Sequence, residues 1–257
     1  MSATVITVLL VGSLIAGWVD AVVGGGGLIL VPLVMILNPQ FSNAQALSLN
    51  KVAAIFGTGS AAITLARKVP SARTALKYAP LAFFGAAGGA VIASSVDKDI
   101  MRPIIIAMLV AVGIFVAARP SFGQTPQPKT VTRKRWLSVL ALVAAIGVYD
   151  GTFGPGTGLF LILSFTTLLG TDFLTSAAWA KIINTFTNLG ALVAFGLQGE
   201  VLWLMGLALA VTNVIGAQIG ARMVIGRGAG FVRVVLLVVV VLMATKLTAD
   251  QLGIGLN

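Results

Sequence analysis

The chain has 257 residues, is 58% hydrophobic and only 9% charged, and has a mean hydropathy of +1.05. A soluble domain carries about 25% charged residues to face water, so a water-soluble fold is excluded and most of the surface must face lipid. Cys and His are absent, which excludes thiol chemistry, disulfides, His proton relays and the usual zinc, haem and iron–sulfur sites; no cofactor or metal is expected. The formal charge of +10 is assigned to cytoplasmic loops that orient helices, not to nucleic acid, which is not an expected partner.

The first apolar stretch, 4–22, has no basic leader or small-residue cleavage site and reads as a retained helix. Apolar segments follow at 27–37, 43–66, 76–95 and 101–118, and then at 136–150, 158–169, 173–196, 201–224 and 231–248. Backbone polar groups in lipid must be satisfied internally, and no short alternating segments occur, so helices are predicted and barrel strands are not. At about 20 residues per crossing, the chain has room for about eight spans and one or two shorter pieces. Residues 119–135 interrupt the pattern with Pro120, Pro126, Pro128 and Arg133-Lys134-Arg135. They read as a basic cytoplasmic linker between an N-terminal half, 1–118, and a C-terminal half, 136–257.

The halves repeat. Gly17, Asp20, Gly24 and Gly26 recur 130 residues later as Gly147, Asp150, Gly154 and Gly156. Lys51 and Phe56 recur at the same offset as Lys181 and Phe186, and Ser42 aligns with Asp172, both at helix starts where they can cap. Gly85, Gly89 and Arg102 recur 131 residues later as Gly216, Gly220 and Arg233. The basic loops do not follow this repeat. Arg67, Lys68, Arg73 and Lys77 face a counterpart, Gln198-Gly199-Glu200, that has no base. Asp97, Lys98 and Asp99 correspond instead to a segment with Arg222, Arg227 and Arg233. The charge bias therefore flips between halves, which predicts opposite orientations. The expected fold is an all-α integral membrane protein of two inverted repeats, each with a glycine-broken helical hairpin and three transmembrane helices. Placing 67–77, 119–135 and 222–233 in the cytoplasm puts both termini outside. Whether the hairpins span fully or re-enter is left open.

Of the seven acids, only Asp20 and Asp150 lie within apolar segments away from loops and caps; of the bases, only Lys51 and Lys181 lie deep inside. Lys181 is nine residues past the expected cap Asp172, about 13 Å into a hydrocarbon core about 30 Å thick. A charge near the midplane costs at least about 2.5–3.5 kcal/mol, which makes function the default reading. Two lysines there suit an anion better than a cation. The blander reading pairs each lysine with the aspartate of its own half, Lys51 with Asp20 and Lys181 with Asp150. The runs Gly24-Gly25-Gly26-Gly27 and Gly154-Pro155-Gly156-Thr157-Gly158 each precede a short apolar segment. Broken helices at matching places in inverted repeats point to a transport site, and the new helix starts offer N–H groups to anions. The scattered Gly85, Gly88 and Gly89 are assigned to close helix packing. Neither cluster has the Lys or the preceding strand of a nucleotide loop. Asn50, Thr58, Asn184, Thr187 and Asn188 lie within about two turns of the lysines, and Asn50 and Asn184 do not correspond under the repeat.

Gly17-Trp18-Val19-Asp20-Ala21, then Gly24-Gly25-Gly26-Gly27-Leu28-Ile29 and Val31-Pro32, resembles the opening motif of the TauE/SafE family of bacterial sulfite and organosulfonate exporters. The resemblance continues through Leu47-Ser48-Leu49-Asn50-Lys51, Phe56-Gly57-Thr58, Asp150-Gly151, Gly154-Pro155-Gly156-Thr157-Gly158 and Ala180-Lys181, over essentially the whole chain. It implies a secondary transporter of small sulfur-containing anions (sulfite, sulfoacetate or other organosulfonates) in the bacterial cytoplasmic membrane. The expected substrate contacts are Lys51, Lys181, Asn50, Thr58, Asn184 and Asn188, with Gly25, Gly26, Gly27, Gly156, Thr157 and Gly158 at the helix starts. Asp20 and Asp150 are expected to pair charges or carry a coupling proton. The expected partners are the small anion and the bilayer, and homodimerisation is left open. A passive anion channel and a carrier of non-sulfur organic anions are the alternatives. An enzyme is not expected: Tyr149-Asp150 resembles half of an intramembrane aspartyl-protease motif, but a Gly-x-Gly-Asp partner is absent.

Overall fold

A computed structural model describes residues 2–97, 100, 101, 103, 104, 107, 129 and 132–251. All regular structure among these residues is helical. Helix α1 (Ala3–Val23) starts on Ser2, whose hydroxyl accepts the Val5 N–H, and stops at Gly24, where φ is 83°. Only a residue without a Cβ adopts that left-handed cap readily. A short helix α2 (Gly27–Leu37) follows, then α3 (Asn43–Lys68), which opens with a capping box between Ser42 and Gln45. Arg67 and Lys68 close α3 in its last turn, where cations meet the negative end of the helix dipole. A 3-10 segment (Pro70–Tyr78) leads into α4 (Ala79–Ser95). The second half runs through α5 (Arg133–Thr152), the short α6 (Thr157–Leu169), α7 (Phe173–Leu197) and α8 (Trp203–Gln251).

The elements fall close to where hydrophobicity places them, with three differences. Helix α5 begins at Arg133, inside the expected linker, because the Thr132 hydroxyl caps it by accepting the Arg135 N–H. The segment expected from 76 is preceded by a 3-10 stretch that already contains Lys77. The separate segments 201–224 and 231–248, with a loop at 222–233, are instead one helix of 49 residues. Gly226, Gly228 and Gly230 cost a helix about 1 kcal/mol each, and without a proline nothing removes a hydrogen bond from the ladder. Most of the predicted helix 101–118, and the linker apart from 129 and 132–135, lie outside the described residues.

Five helical stretches among the described residues are long and apolar enough to cross a membrane: Ala3–Val23, Asn43–Lys68, Pro70–Ser95, Phe173–Leu197 and Trp203–Arg227. Large apolar side chains such as Phe84, Leu197 and Leu204 stand on the outside, as a lipid-facing surface requires.

Helix packing is reciprocal between halves. Helix α1 packs on α8 and α5 on α4; α3 packs on α8 and α7 on α4; α3 and α7 pack on each other. A Cβ at Gly216 would meet the Leu14 carbonyl and one at Gly85 the Ala144 carbonyl; Gly220 meets the Trp18 carbonyl and Gly89 the Val148 carbonyl. Each contact in one half thus has its counterpart in the other at the offset seen in the sequence. Without a hydrophobic force between helices in lipid, such backbone approach supplies the packing.

Gly88, by contrast, has nothing within 4 Å of the place its Cβ would take, whereas a Cβ at Gly151 would run into the Ala86 carbonyl. Gly151→Ala is expected to lower the thermal midpoint by the equivalent of about 1–3 kcal/mol. Gly88→Ala should leave it unchanged or raise it by up to about 1 kcal/mol. Unfolding of the two variants in detergent checks the contrast.

Candidate functional site

Lys51 on α3 and Lys181 on α7 are among the largest fully buried side chains. Lys51 Nζ lies 2.8 Å from Asp150 Oδ2 and donates to the Asp150 carbonyl at 2.7 Å. Lys181 Nζ lies 2.8 Å from Asp20 Oδ2 and donates to the Asp20 carbonyl. The expected pairing within each half, Lys51 with Asp20 and Lys181 with Asp150, is therefore incorrect. Helices α3 and α7 pack on each other, and each carries its lysine across to the aspartate of the other half.

The broken helices explain the arrangement. Asp20 and Asp150 sit in the last turns of α1 and α5, so their carbonyls belong to helix C-termini, and an ammonium there meets the negative end of the dipole. The carboxylates face the other way, towards the helices that start after each break. Asp20 Oδ1 accepts the Gly26 N–H at 3.3 Å at the start of α2. Asp150 Oδ1 accepts the Thr157 hydroxyl at 2.7 Å at the start of α6, whose cap, Gly156, has a φ of 81°. Charge thus alternates from helix C-terminus to lysine, to aspartate, to helix N-terminus, twice over.

The two breaks also touch. The Gly158 N–H donates to the Gly24 carbonyl at 3.2 Å, and a Cβ on either glycine would collide with the other backbone. Gly154 lies beside Lys51 and Asp150, Gly25 packs against Leu28, and Gly27 faces Pro155 and the Asn50 amide. Thr58 and Asn188 meet across α3 and α7, Asn188 Nδ2 donating to Thr58 Oγ1 at 3.4 Å. Among the described residues the Thr187 hydroxyl donates to the Asn184 carbonyl and side-chain oxygen, and neither side chain joins either ion pair. Sequence reasoning missed two supports. The Tyr149 hydroxyl donates to the Pro155 carbonyl at 2.6 Å and braces the second break; its position beside Asp150 was the available signal. Asn213 on α8 donates to the Ser13 carbonyl at 3.0 Å, and a lone Asn in an apolar run is the mark of such a tie. An apolar cleft of about 720 Å³, lined by residues such as Ile6, Leu9, Phe41 and Trp203, contains none of the candidate residues.

The family model described as Sulfite exporter TauE/SafE matches residues 9–247, both halves and both breaks included. The chain belongs to the TauE/SafE family. Among curated relatives of this TauE/SafE chain, the Sinorhizobium protein named "Probable membrane transporter protein ORF9" is 37% identical over 94% of this chain and 92% of its own length. The Escherichia coli K12 protein named "Probable membrane transporter protein YfcA" is 33% identical over 98% of this chain and 93% of its own. A Haemophilus influenzae "Probable membrane transporter protein" is 33% identical over 92% of each. No solved structure matches. This TauE/SafE chain is accordingly a multi-pass membrane protein of a transporter family.

The crossed pairing is checked by rescue. Removing one partner of a buried pair strands the other charge and costs about 3–5 kcal/mol. Lys51→Met should therefore lower the thermal midpoint sharply, Asp150→Asn should restore much of it in the double variant, and Asp20→Asn should not. The reverse pattern of rescue would refute the geometry.

Proposed function

We propose that this protein is a secondary transporter of small sulfur-containing anions, sulfite, sulfoacetate or other organosulfonates, exporting them across the bacterial cytoplasmic membrane. The observation that carries this reading is the pair of crossed Lys–Asp bridges where two glycine-broken helices meet. Buried charges of this kind mark substrate and proton pathways, and broken helices lie at the sites of transporters built from repeats. The sulfur assignment rests on the family description; the sign of the substrate rests on the lysines and on the helix starts.

The mechanism is alternating access. The reciprocal contacts support two halves rocking about the shared centre, and the reversed bias of basic residues in the sequence favours opposite orientations for them. Each bridge joins the halves, so opening either side strains a bridge. Each lysine already holds a carboxylate, so an anion that reaches Lys51 or Lys181 must replace one. Protonation of Asp20 or Asp150 would release its lysine and couple proton movement to anion movement. The interior-negative potential favours anion export by about 2.3 kcal/mol per charge per 100 mV, so export also runs without a coupled proton.

Thermal unfolding with sulfite, sulfoacetate, other sulfonates, sulfate, carboxylates and cations tests the substrate class. A ligand at 100 times its Kd stabilises by about 2.7 kcal/mol, and a sulfur oxyanion is expected to do so where cations do not. Stabilisation by carboxylates alone would select a non-sulfur organic anion. In proteoliposomes, efflux of labelled sulfite should accelerate with unlabelled sulfite on the far side; equal rates with and without it would select a channel.

A further inference from the structure

The two half-sites share a plan but not an occupancy. Gly27, the first residue of α2, corresponds under the 130-residue offset to Thr157, the first residue of α6. In the second half the Thr157 side chain fills the space at the helix start, its hydroxyl bound to Asp150 Oδ1 at 2.7 Å and to the Gly154 carbonyl at 2.9 Å. In the first half Gly27 has no side chain there, and among the described residues Asp20 Oδ1 accepts only the Gly26 N–H, at 3.3 Å. The neighbouring residue differs as well. Asn50 is 5% exposed and its amide has no hydrogen bond among the described residues, while its counterpart, Ala180, offers no polar group. Asn50 Nδ2 lies 3.6 Å from where a Gly27 Cβ would sit, with Pro155 Cα at 3.5 Å on another side.

Accessibility follows the same division. Gly27 is half-buried, whereas Thr157 and Gly158 are buried. The Asp20 side chain is 12% exposed, against 3% for Asp150. The start of α2 is thus the open member of the pair, and the start of α6 is closed by its own threonine.

We infer that the space beside Gly27 is a single oxyanion-binding site, formed by the α2 start and the Asn50 amide, and that its counterpart beside Thr157 is a structural copy that binds nothing. This deepens the anion reading given above and rests on it. The Asn50 amide has donors to spare, and an oxyanion oxygen can accept from them. At the α2 start the Gly26 N–H is taken by Asp20 and the Leu28 and Ile29 N–H groups by the Gly25 and Gly26 carbonyls, so the Gly27 N–H, with no partner among the described residues, and the positive end of the dipole are what the helix offers an anion. Lys181 balances the Asp20 carboxylate alongside, so the donors meet no net negative charge. The ligand class is a small oxyanion, with a sulfite or sulfonate head group as the probe.

Gly27→Ala separates binding from folding. The added methyl would lie at ordinary contact distance, 3.5–3.6 Å, from its nearest neighbours, so the fold tolerates it, yet it occupies the site. Gly27→Thr copies the second half. Isothermal titration of sulfite into the purified full-length protein should give one site per chain. Affinity should fall at least tenfold in Gly27→Ala and Gly27→Thr, with thermal midpoints at or above the parent's, and about tenfold in Asn50→Ala, the loss of one donor to a charged group. Two sites per chain would overturn the inference, and so would parental affinity in Gly27→Ala or Asn50→Ala, while leaving the anion reading intact. If the unaltered protein binds neither sulfite, sulfoacetate nor sulfate, the anion reading falls and this inference falls with it. Should Gly27→Thr fail to fold, the stoichiometry, Gly27→Ala and Asn50→Ala still decide.

Discussion

An ammonium and a carboxylate placed in hydrocarbon each cost several kcal/mol unless they find one another and their remaining hydrogen-bonding capacity is met. Lys51–Asp150 and Lys181–Asp20 meet that demand by using the backbone as a third partner. Each lysine takes the carboxylate and the carbonyl of the same aspartate, which is available only because the helix ends within a turn. The glycines at 24 and 154 are the local means to that end: at φ of 83° and 90° they turn the chain where a side chain would be strained. The short helices α2 and α6 then begin beside the carboxylates instead of far from them.

The rest of the architecture can be read outward from this centre. For each lysine to reach the opposite half, α3 and α7 must pack closely, and the backbones at Gly24 and Gly158 must touch. The outer helices are held through Gly85, Gly89, Gly216 and Gly220, each against a carbonyl of the facing helix. A chain with 30 glycines would be a poor soluble helical protein, since each glycine weakens a helix. In lipid, where backbone hydrogen bonds have no water to compete with them, the same residues give closeness at small cost.

Much of this was legible in the sequence because hydrophobic length and caps are local signals. The bounds of α2 were read residue for residue, and Ser42 and Asp172 cap α3 and α7 as expected. The four buried charges were legible too, since a charge inside an apolar run is conspicuous. Their partners were not. A repeat aligns Lys51 with Lys181 and Asp20 with Asp150, and so states which residues are equivalent without stating whether contacts form within a copy or between copies. The continuity of α8 was hidden for another reason: Gly226, Gly228 and Gly230 with nearby arginines resemble a loop, but neither glycine nor charge breaks a helical hydrogen bond. Asn50 stood out as a polar residue beside a lysine, but what surrounds Gly27 depends on Pro155 from the other half, which lies across from it.

Thr58 and Asn188 stand 130 residues apart and touch each other. They are the same position in the two halves, meeting itself. Were the halves separate identical polypeptides, that position would hold one residue type, and the contact would have to be Thr with Thr or Asn with Asn. Joined in a single chain, the position can be filled once with an amide that donates and once with a hydroxyl that accepts. Fusion thus permits complementarity where a symmetric dimer is confined to likeness, and the same freedom lets Gly27 and Thr157, or Asn50 and Ala180, differ at matching positions.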